Sequence, residues 1–194
     1  MAETWYSADL HLGHSNIIKY CDRPWDNVQA MNDSLVERWN AVVAGDDTVW
    51  VLGDVALTPR AIYPVARLNG IKILVAGNHD ACWTGHRRTE RARRTIPTYL
   101  EAGFAAVHES GIVTNHVIGS KPVVLAHLPY AGDHTETDRY AEHRPADNGL
   151  PLICGHAHTA WKTSGRQINV GVDVWDYRPV AESTLADLIS DLPR

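Results

Sequence analysis

Apolar and polar positions alternate along this chain in two distinct periods. "TWYSA" (4–8), "TVWVLG" (48–53) and "IKILVAG" (71–77) are short β-branched or apolar runs, and they read as buried strands. Between them, "AMNDSLVERWNAVV" (30–43) places Met31, Leu35, Val36, Trp39 and Val42–Val43 at helical spacing. "PRAIYPVARL" (59–68) predicts a second helix, with Pro59 in its first turn and Pro64 as a break. The arginine-rich stretch after residue 86 opens a third, running to about Ala102.

The second half is strand-rich. "GIVTNHVIG" and "KPVVLAH" flank a turn at Gly119–Lys121 and predict a hairpin. "LPLICG" is another short strand, "WKTSGRQINVGVD" reads as two strands about Ser164–Gly165, and "AESTLADLIS" is helical. β–α units followed by hairpins predict one α/β domain over 1–194, with two stacked sheets and helices outside. A long polar connection, "YAGDHTETDRYAEHRPADNG" (130–149), interrupts the pattern. It reads either as a lid over a site or as a surface insertion.

Composition narrows the class. A chain of 194 residues buries a substantial core, and its 44% apolar and 21% charged content is that of a soluble protein. No apolar run is long enough to span a bilayer, and the N-terminus lacks the basic and apolar regions of a signal peptide; the expected location is cytoplasmic. Cys21, Cys82 and Cys154 form no CxxC pair, which argues against a disulfide framework or a thiolate zinc knuckle. Cys154 reads as a small buried apolar residue. The net charge of −5 disfavours a nucleic-acid partner. Arg87, Arg88, Arg91, Arg93 and Arg94 are the local exception, read either as a solvated helix face or as a phosphate-attracting patch.

The eleven histidines change the picture, because they cluster at strand ends. "TWYSA" leads into Asp9 and His11, "TVWVLG" into Asp54, and "IKILVAG" into Asn78, His79 and Asp80. "KPVVLA" leads into His127, and "LPLIC" into His156 and His158. Sites in α/β sheets form beyond the carboxyl ends of strands. Asp, His and Asn without thiolates suit Mn²⁺, Fe²⁺ or Zn²⁺. Asp9 and His11, like His156 and His158, share a side if their backbone is extended. The donors are too many for one ion and suit two, with Asp54 as the bridge. Asp9 and Asp54 leave two divalent ions with surplus positive charge, which suits a hydroxide and a phosphate oxyanion.

Asp9-x-His11, Gly53-Asp54, Gly77-Asn78-His79-Asp80, His127 and Gly155-His156-x-His158, in this order, resemble the calcineurin-like metallophosphoesterase superfamily. The resemblance implies a four-layer αββα sandwich and a dinuclear metal centre. It gives Asp9, His11, Asp54 and His158 to one ion, and Asp54, Asn78, His127 and His156 to the other. His79 then faces the substrate as general acid or transition-state stabiliser, with Asp80 orienting its ring and raising its pKa. "SADLHLGHSNIIKYCDRPW" resembles a narrower group of small bacterial and phage phosphodiesterases, and brings His14 and Arg23 as phosphate contacts. Behind these stand two plainer readings, His14 as a hydrogen bonder behind the ligands and Arg23 as a turn residue.

The implied activity is hydrolysis of small phosphodiesters such as 2′,3′-cyclic nucleotides, by in-line attack of a metal-bridging hydroxide. The implied ions are Mn²⁺ first, with Fe²⁺/Fe³⁺, Zn²⁺, Ni²⁺ or Co²⁺ as alternatives. Phosphomonoesterase and nuclease are the alternative activities. A metal-free protein-binding scaffold is a further alternative, against which the intact ligand set argues. Trp25, Trp83 and Tyr130 lie near the motifs and are candidates for stacking on a base.

Overall fold

The structure of the protein, a computed structural model, describes residues 1–86, 88–133, 135, 137 and 139–193. Arg87 of the basic patch and three positions of the 130–149 connection therefore lie outside the described residues.

Strands β1 (Thr4–Ser7), β2 (Thr48–Val51), β3 (Ile71–Val75) and β4 (Phe104–His108) pair in parallel as one sheet. The chain then builds a second sheet from β5 (Ile112–Ile118), β6 (Lys121–Ala126), β7 (Leu152–Cys154), β8 (Thr163–Ser164) and β9 (Gln167–Asn169), in the order β5-β6-β7-β9-β8. The short β10 (Val180–Ala181) returns to the first sheet, antiparallel to β1. Both sheets are mixed, and the expected hairpin is β5–β6.

Alternation along the strands sorts the core into layers. Tyr6, Val75, Leu125, Ile153 and Ile168 come from both sheets and share one cluster between them. Helix α1 (Ser15–Tyr20) follows the loop after β1, and helix α2 (Val28–Asn40) lies on the other face of the first sheet. There Met31, Leu35, Val36 and Trp39 join a cluster with Val49, Val51 and Leu74. Its N-cap is Asn27, whose side-chain oxygen accepts from the Ala30 amide at 2.9 Å.

On the far side of β6, Val124 and Ala126 point outward with Leu152 and Cys154. The partly buried residues packed on them are Ile112, Tyr130, Leu150 and Trp161, none of them helical. The fourth, helical layer of the expected αββα sandwich is thus not found over this face among the described residues. Tyr130 at the start of the 130–149 connection and Leu150 just past its end cover it instead, with Ile112 and Trp161. Cys154 is fully buried, as its apolar context implies.

Two helical readings also change. Residues Pro59–Arg67 form consecutive 3₁₀ turns with Pro64 inside, since Pro64 lacks the N–H that an α-helical bond needs. The arginine-rich stretch is two short helices, α3 (Thr89–Arg93) and α4 (Ile96–Glu101). The break falls at Arg94–Thr95, where Pro97 is pre-set for the first turn of a new helix rather than the interior of an old one. The chain closes with α5 (Glu182–Asp191), docked by Tyr6 Oη donating to Glu182 Oε2 at 3.1 Å. Among the described residues, no helix is long and apolar enough to cross a membrane.

Candidate metal centre

The loops that follow β1 and β2 zip together beyond the strand ends. The Asp9 amide donates to the Gly53 carbonyl at 3.0 Å, His11 to Asp54 at 2.9 Å, and Leu12 to Val55 at 2.8 Å. Asp9, His11, Asp54, His156 and His158 all adopt left-handed backbone, with φ between 45° and 68°. An extended backbone at Asp9–His11 and His156–His158 is therefore not what brings these pairs together. Each left-handed L-residue costs roughly 1–2 kcal/mol. Five at one locus is strain of the kind that collects at functional sites.

The tips converge. One donor atom each from Asp9, His11 and His158 lies within 4.8 Å of the others, and the same holds for Asp9, Asp54 and His127. Asp9 is common to these two groups, and a third group, Cys21, His158 and Asp173, shares His158 with the first. Asp54 stands between the two imidazoles, with Oδ2 3.6 Å from His11 Nε2 and Oδ1 3.4 Å from His127 Nε2. Close packing makes this possible: a Cβ on Gly77 would collide with the Asp54 carboxylate, and one on Gly155 would come 2.8 Å from Asp9 Oδ2.

The hydrogen bonds fix which atoms face the centre. His127 Nδ1 donates to the Leu52 carbonyl at 2.8 Å, so in the neutral ring Nε2 carries the lone pair. That Nε2 sits 2.9 Å from Asn78 Oδ1, beside Asp54. Asp9 Oδ2 accepts the His156 amide at 2.9 Å, while Asp9 Oδ1 and His11 Nε2 are buried with no hydrogen-bond partner among the described residues. Unsatisfied buried polar atoms are costly and rare. Two of them facing one anionic pocket fit a cation.

The electrostatics agree. Burial pushes Asp9 up to about 6 and holds His11 well below the usual histidine range. Burial opposes charge on His127 and His158 too, yet Asp54 lifts the former to about 9 and Asp9 lifts the latter well above normal. Protons thus gather where a cation would neutralise the same carboxylates.

His156 is turned differently. Its Nε2 lies 3.0 Å from Asp133 Oδ2, a carboxylate that also pairs with Arg139 at 3.0 Å. His156 belongs to none of the three donor groups found among the described residues.

Asp80 and Arg23 do not hold the places expected of them. Asp80 does not reach the His79 ring. Its two oxygens accept the Asp54, Val55 and Gly77 amides at 2.9, 3.1 and 2.8 Å. Burial, with the nearby Asp54 charge, raises Asp80 to about 7, and burial lowers His79, the reverse of the expected rise. Arg23 is buried and, unlike His14, is not in the wall of the cavity above the centre. It grips Asp173 with Nε to Oδ1 at 2.7 Å and Nη2 to Oδ2 at 3.1 Å, and it donates to the Asp9 and Leu10 carbonyls. It is a structural clamp behind the centre.

Above the centre opens a cavity of about 460 Å³, whose walls include His11, His14, Tyr20, His79, Arg139 and His158. His79 is 37% exposed and its amide donates to Asp54 Oδ1 at 2.8 Å. Thr135 and Arg139 line the cavity, so the 130–149 connection is one of its walls. His14 sits on the wall with Nδ1 3.4 Å from His11 Nδ1. None of Trp25, Trp83 and Tyr130 lines it. Trp83 is buried, Trp25 packs edge-on against Tyr177, and the Tyr130 hydroxyl donates to the Leu150 carbonyl. The aromatic ring at the cavity is Tyr20, largely exposed. Sequence reasoning missed Tyr20, Arg139 and Asp173. Tyr20 lies within "SADLHLGHSNIIKYCDRPW", where His14 and Arg23 drew the reading, Arg139 lies in the 130–149 connection with no motif of its own, and Asp173 follows a strand end too, in "NVGVD".

No family model matches the chain. The chain is 33% identical over 216 aligned positions to the Gene 66 protein of Mycobacterium phage L5, covering 99% of this chain and 96% of the phage protein. It is 42% identical over 193 positions to the uncharacterized protein MJ1445 of Methanocaldococcus jannaschii, covering 97% and 92%. Among solved structures, the protein of unknown function AQ665 from Aquifex aeolicus superposes with a TM-score of 0.70 at 25% identity, covering 97% of this chain and all of that one. The chain belongs to the family of the mycobacteriophage L5 Gene 66 protein.

Proposed function

We propose that the chain is a metal-dependent phosphoesterase acting on small phosphodiesters. The observation that carries this is the pair of partnerless buried atoms, Asp9 Oδ1 and His11 Nε2, beside an Asp54 carboxylate set between two imidazoles. Asp9, His11, Asp54 and His158 would hold one divalent ion. Asp54, Asn78, His127 and His156 would hold a second. Such ions, Mn²⁺ foremost, lower the pKa of water and neutralise phosphate charge.

The chain's own groups supply the rest. His79 projects into the cavity, anchored through its amide to Asp54. Lowered by burial, its ring is neutral at pH 7, and its N–H stabilises the leaving oxygen by hydrogen bonding. Arg139 brings a positive charge to the same wall, where a phosphate oxygen can dock. Tyr20 offers a face for a base. A cavity of about 460 Å³ suits a nucleotide-sized ligand such as a 2′,3′-cyclic nucleotide.

The test is hydrolysis of bis(p-nitrophenyl) phosphate and p-nitrophenyl phosphate, side by side, with Mn²⁺ and with chelator. Mn²⁺-dependent cleavage of the diester is the expected result. A preference for the monoester would move the assignment to phosphomonoesterase. Activity on neither, with no stoichiometric metal bound, would overturn the enzyme reading in favour of a binding scaffold.

A further inference from the structure

A second cavity, of about 490 Å³, opens beside Ala81, at the end of the Asn78–Ala81 turn. His79 lines the metal cavity and Ala81 lines this one. Two residues of chain span at most about 7 Å, so the cavities are near neighbours. The walls here include His86, Arg88, Arg91 and Thr95, and among the described residues no carboxylate lines them.

Two observations set these arginines apart. Arg93 takes both nearby carboxylates, with Nη1 3.2 Å from Glu90 Oε1 and Nε 2.7 Å from Glu109 Oε1. Arg88 and Arg91 are exposed at the cavity, and among the described residues neither guanidinium makes an ion pair or hydrogen bond. The result is concentrated positive charge on a chain whose net charge is −5. The third group is tied to the metal-loop turn: His86 Nε2 donates to the Asp80 carbonyl at 3.2 Å.

We propose that this cavity binds a phosphate group carried by the substrate, separate from the ester that is cleaved. The substrate class is then a phosphodiester bearing an additional terminal phosphate, such as a short 5′-phosphorylated oligonucleotide. This rests on the phosphoesterase reading. Paired guanidiniums suit a phosphate because each donates along two parallel N–H directions.

The test has two arms, both on the full chain. In the first, inorganic phosphate is titrated calorimetrically into the wild type and the Arg88→Gln/Arg91→Gln variant, with chelator present so that no metal can hold the anion. Binding by the wild type, weakened about tenfold or more in the variant, is expected. In the second, with Mn²⁺, kcat/KM is compared for a dinucleotide with and without a 5′-phosphate. The wild type should prefer the phosphorylated form, and the variant should lose about tenfold of that preference while cleaving bis(p-nitrophenyl) phosphate normally.

Absence of phosphate binding by the wild type, or equal binding by the variant, overturns the site. Binding lost with an unchanged kinetic preference overturns the substrate-borne assignment and identifies the ligand as free anion. No hydrolysis of either dinucleotide, with the binding contrast intact, overturns the phosphoesterase reading and upholds the anion site.

Discussion

His158 Nδ1 stands 2.8 Å from Asp173 Oδ2, and the same carboxylate is gripped from behind by Arg23. An ionised carboxylate only accepts, so Nδ1 carries the proton and Nε2 is left as the basic nitrogen of the neutral ring. Arg23 also donates to the Asp9 and Leu10 carbonyls. The clamp thus fixes the His158 ring and the turn that bears Asp9 together.

Asp173→Asn should weaken Mn²⁺ affinity about 10–100-fold, the usual cost of losing a carboxylate behind a metal-bound histidine. Calorimetric titration of the metal-free chain measures it. Unchanged affinity would show that Asp173 does not set the His158 ring.

The same residue predicts acid behaviour. Burial alone would raise Asp173, but hydrogen bonding to His158 and the Arg23 charge outweigh it and hold the carboxyl below its usual range. A folded-state pKa below the unfolded one contributes stability that is present above pH 4 and lost as pH falls through the folded value. Wild type should therefore lose stability as pH falls below about 4 and through the lowered folded-state pKa, and Asp173→Asn should show a shallower acid limb in urea titrations at stepped pH. Parallel limbs would refute the pairing as a source of acid sensitivity.

His79→Ala should lower turnover of the diester by about 100-fold or more while metal content stays near that of the wild type. Metal analysis and steady-state kinetics on one preparation decide it. Loss of metal would make His79 a ligand.

Asp80→Ala should act on folding. Its carboxylate satisfies three amides from two loops, so removal should cost about 3 kcal/mol or more in urea unfolding. A variant of normal stability and low turnover would restore Asp80 to the chemistry.

Gly77→Ala should fail to load metal, because the new methyl group occupies the place of the Asp54 carboxylate. Metal content of the purified variant is the readout, and full occupancy would mean that the loop gives way.

Much of this was legible in the chain. Strands ending in Gly-Asp or Gly-Asn-His-Asp announce polar tips beyond apolar runs, and these tips do meet. The rest depends on partners distant in sequence. Arg23 and Asp173 are 150 residues apart, and neither announces the other. Asp80 sits beside His79 in sequence, but turn geometry sends its carboxylate inward to the backbone. The period-two argument for Asp9 and His11 failed because both residues are left-handed, a conformation that residue type alone does not reveal. The missing helical layer had no signal, since Val124 and Ala126 read as buried whatever covers them.

The 130–149 connection shields an outer sheet face through Tyr130, joined by Leu150 just past its end, and walls the cavity above Asp9 and His11 through Thr135 and Arg139. One segment therefore answers to two selective pressures. A change in its length that retunes which molecules enter also disturbs the cover of a hydrophobic face. Divergence of ligand preference within this family should accordingly proceed by exchange of individual side chains along the segment, with its anchoring ends held constant.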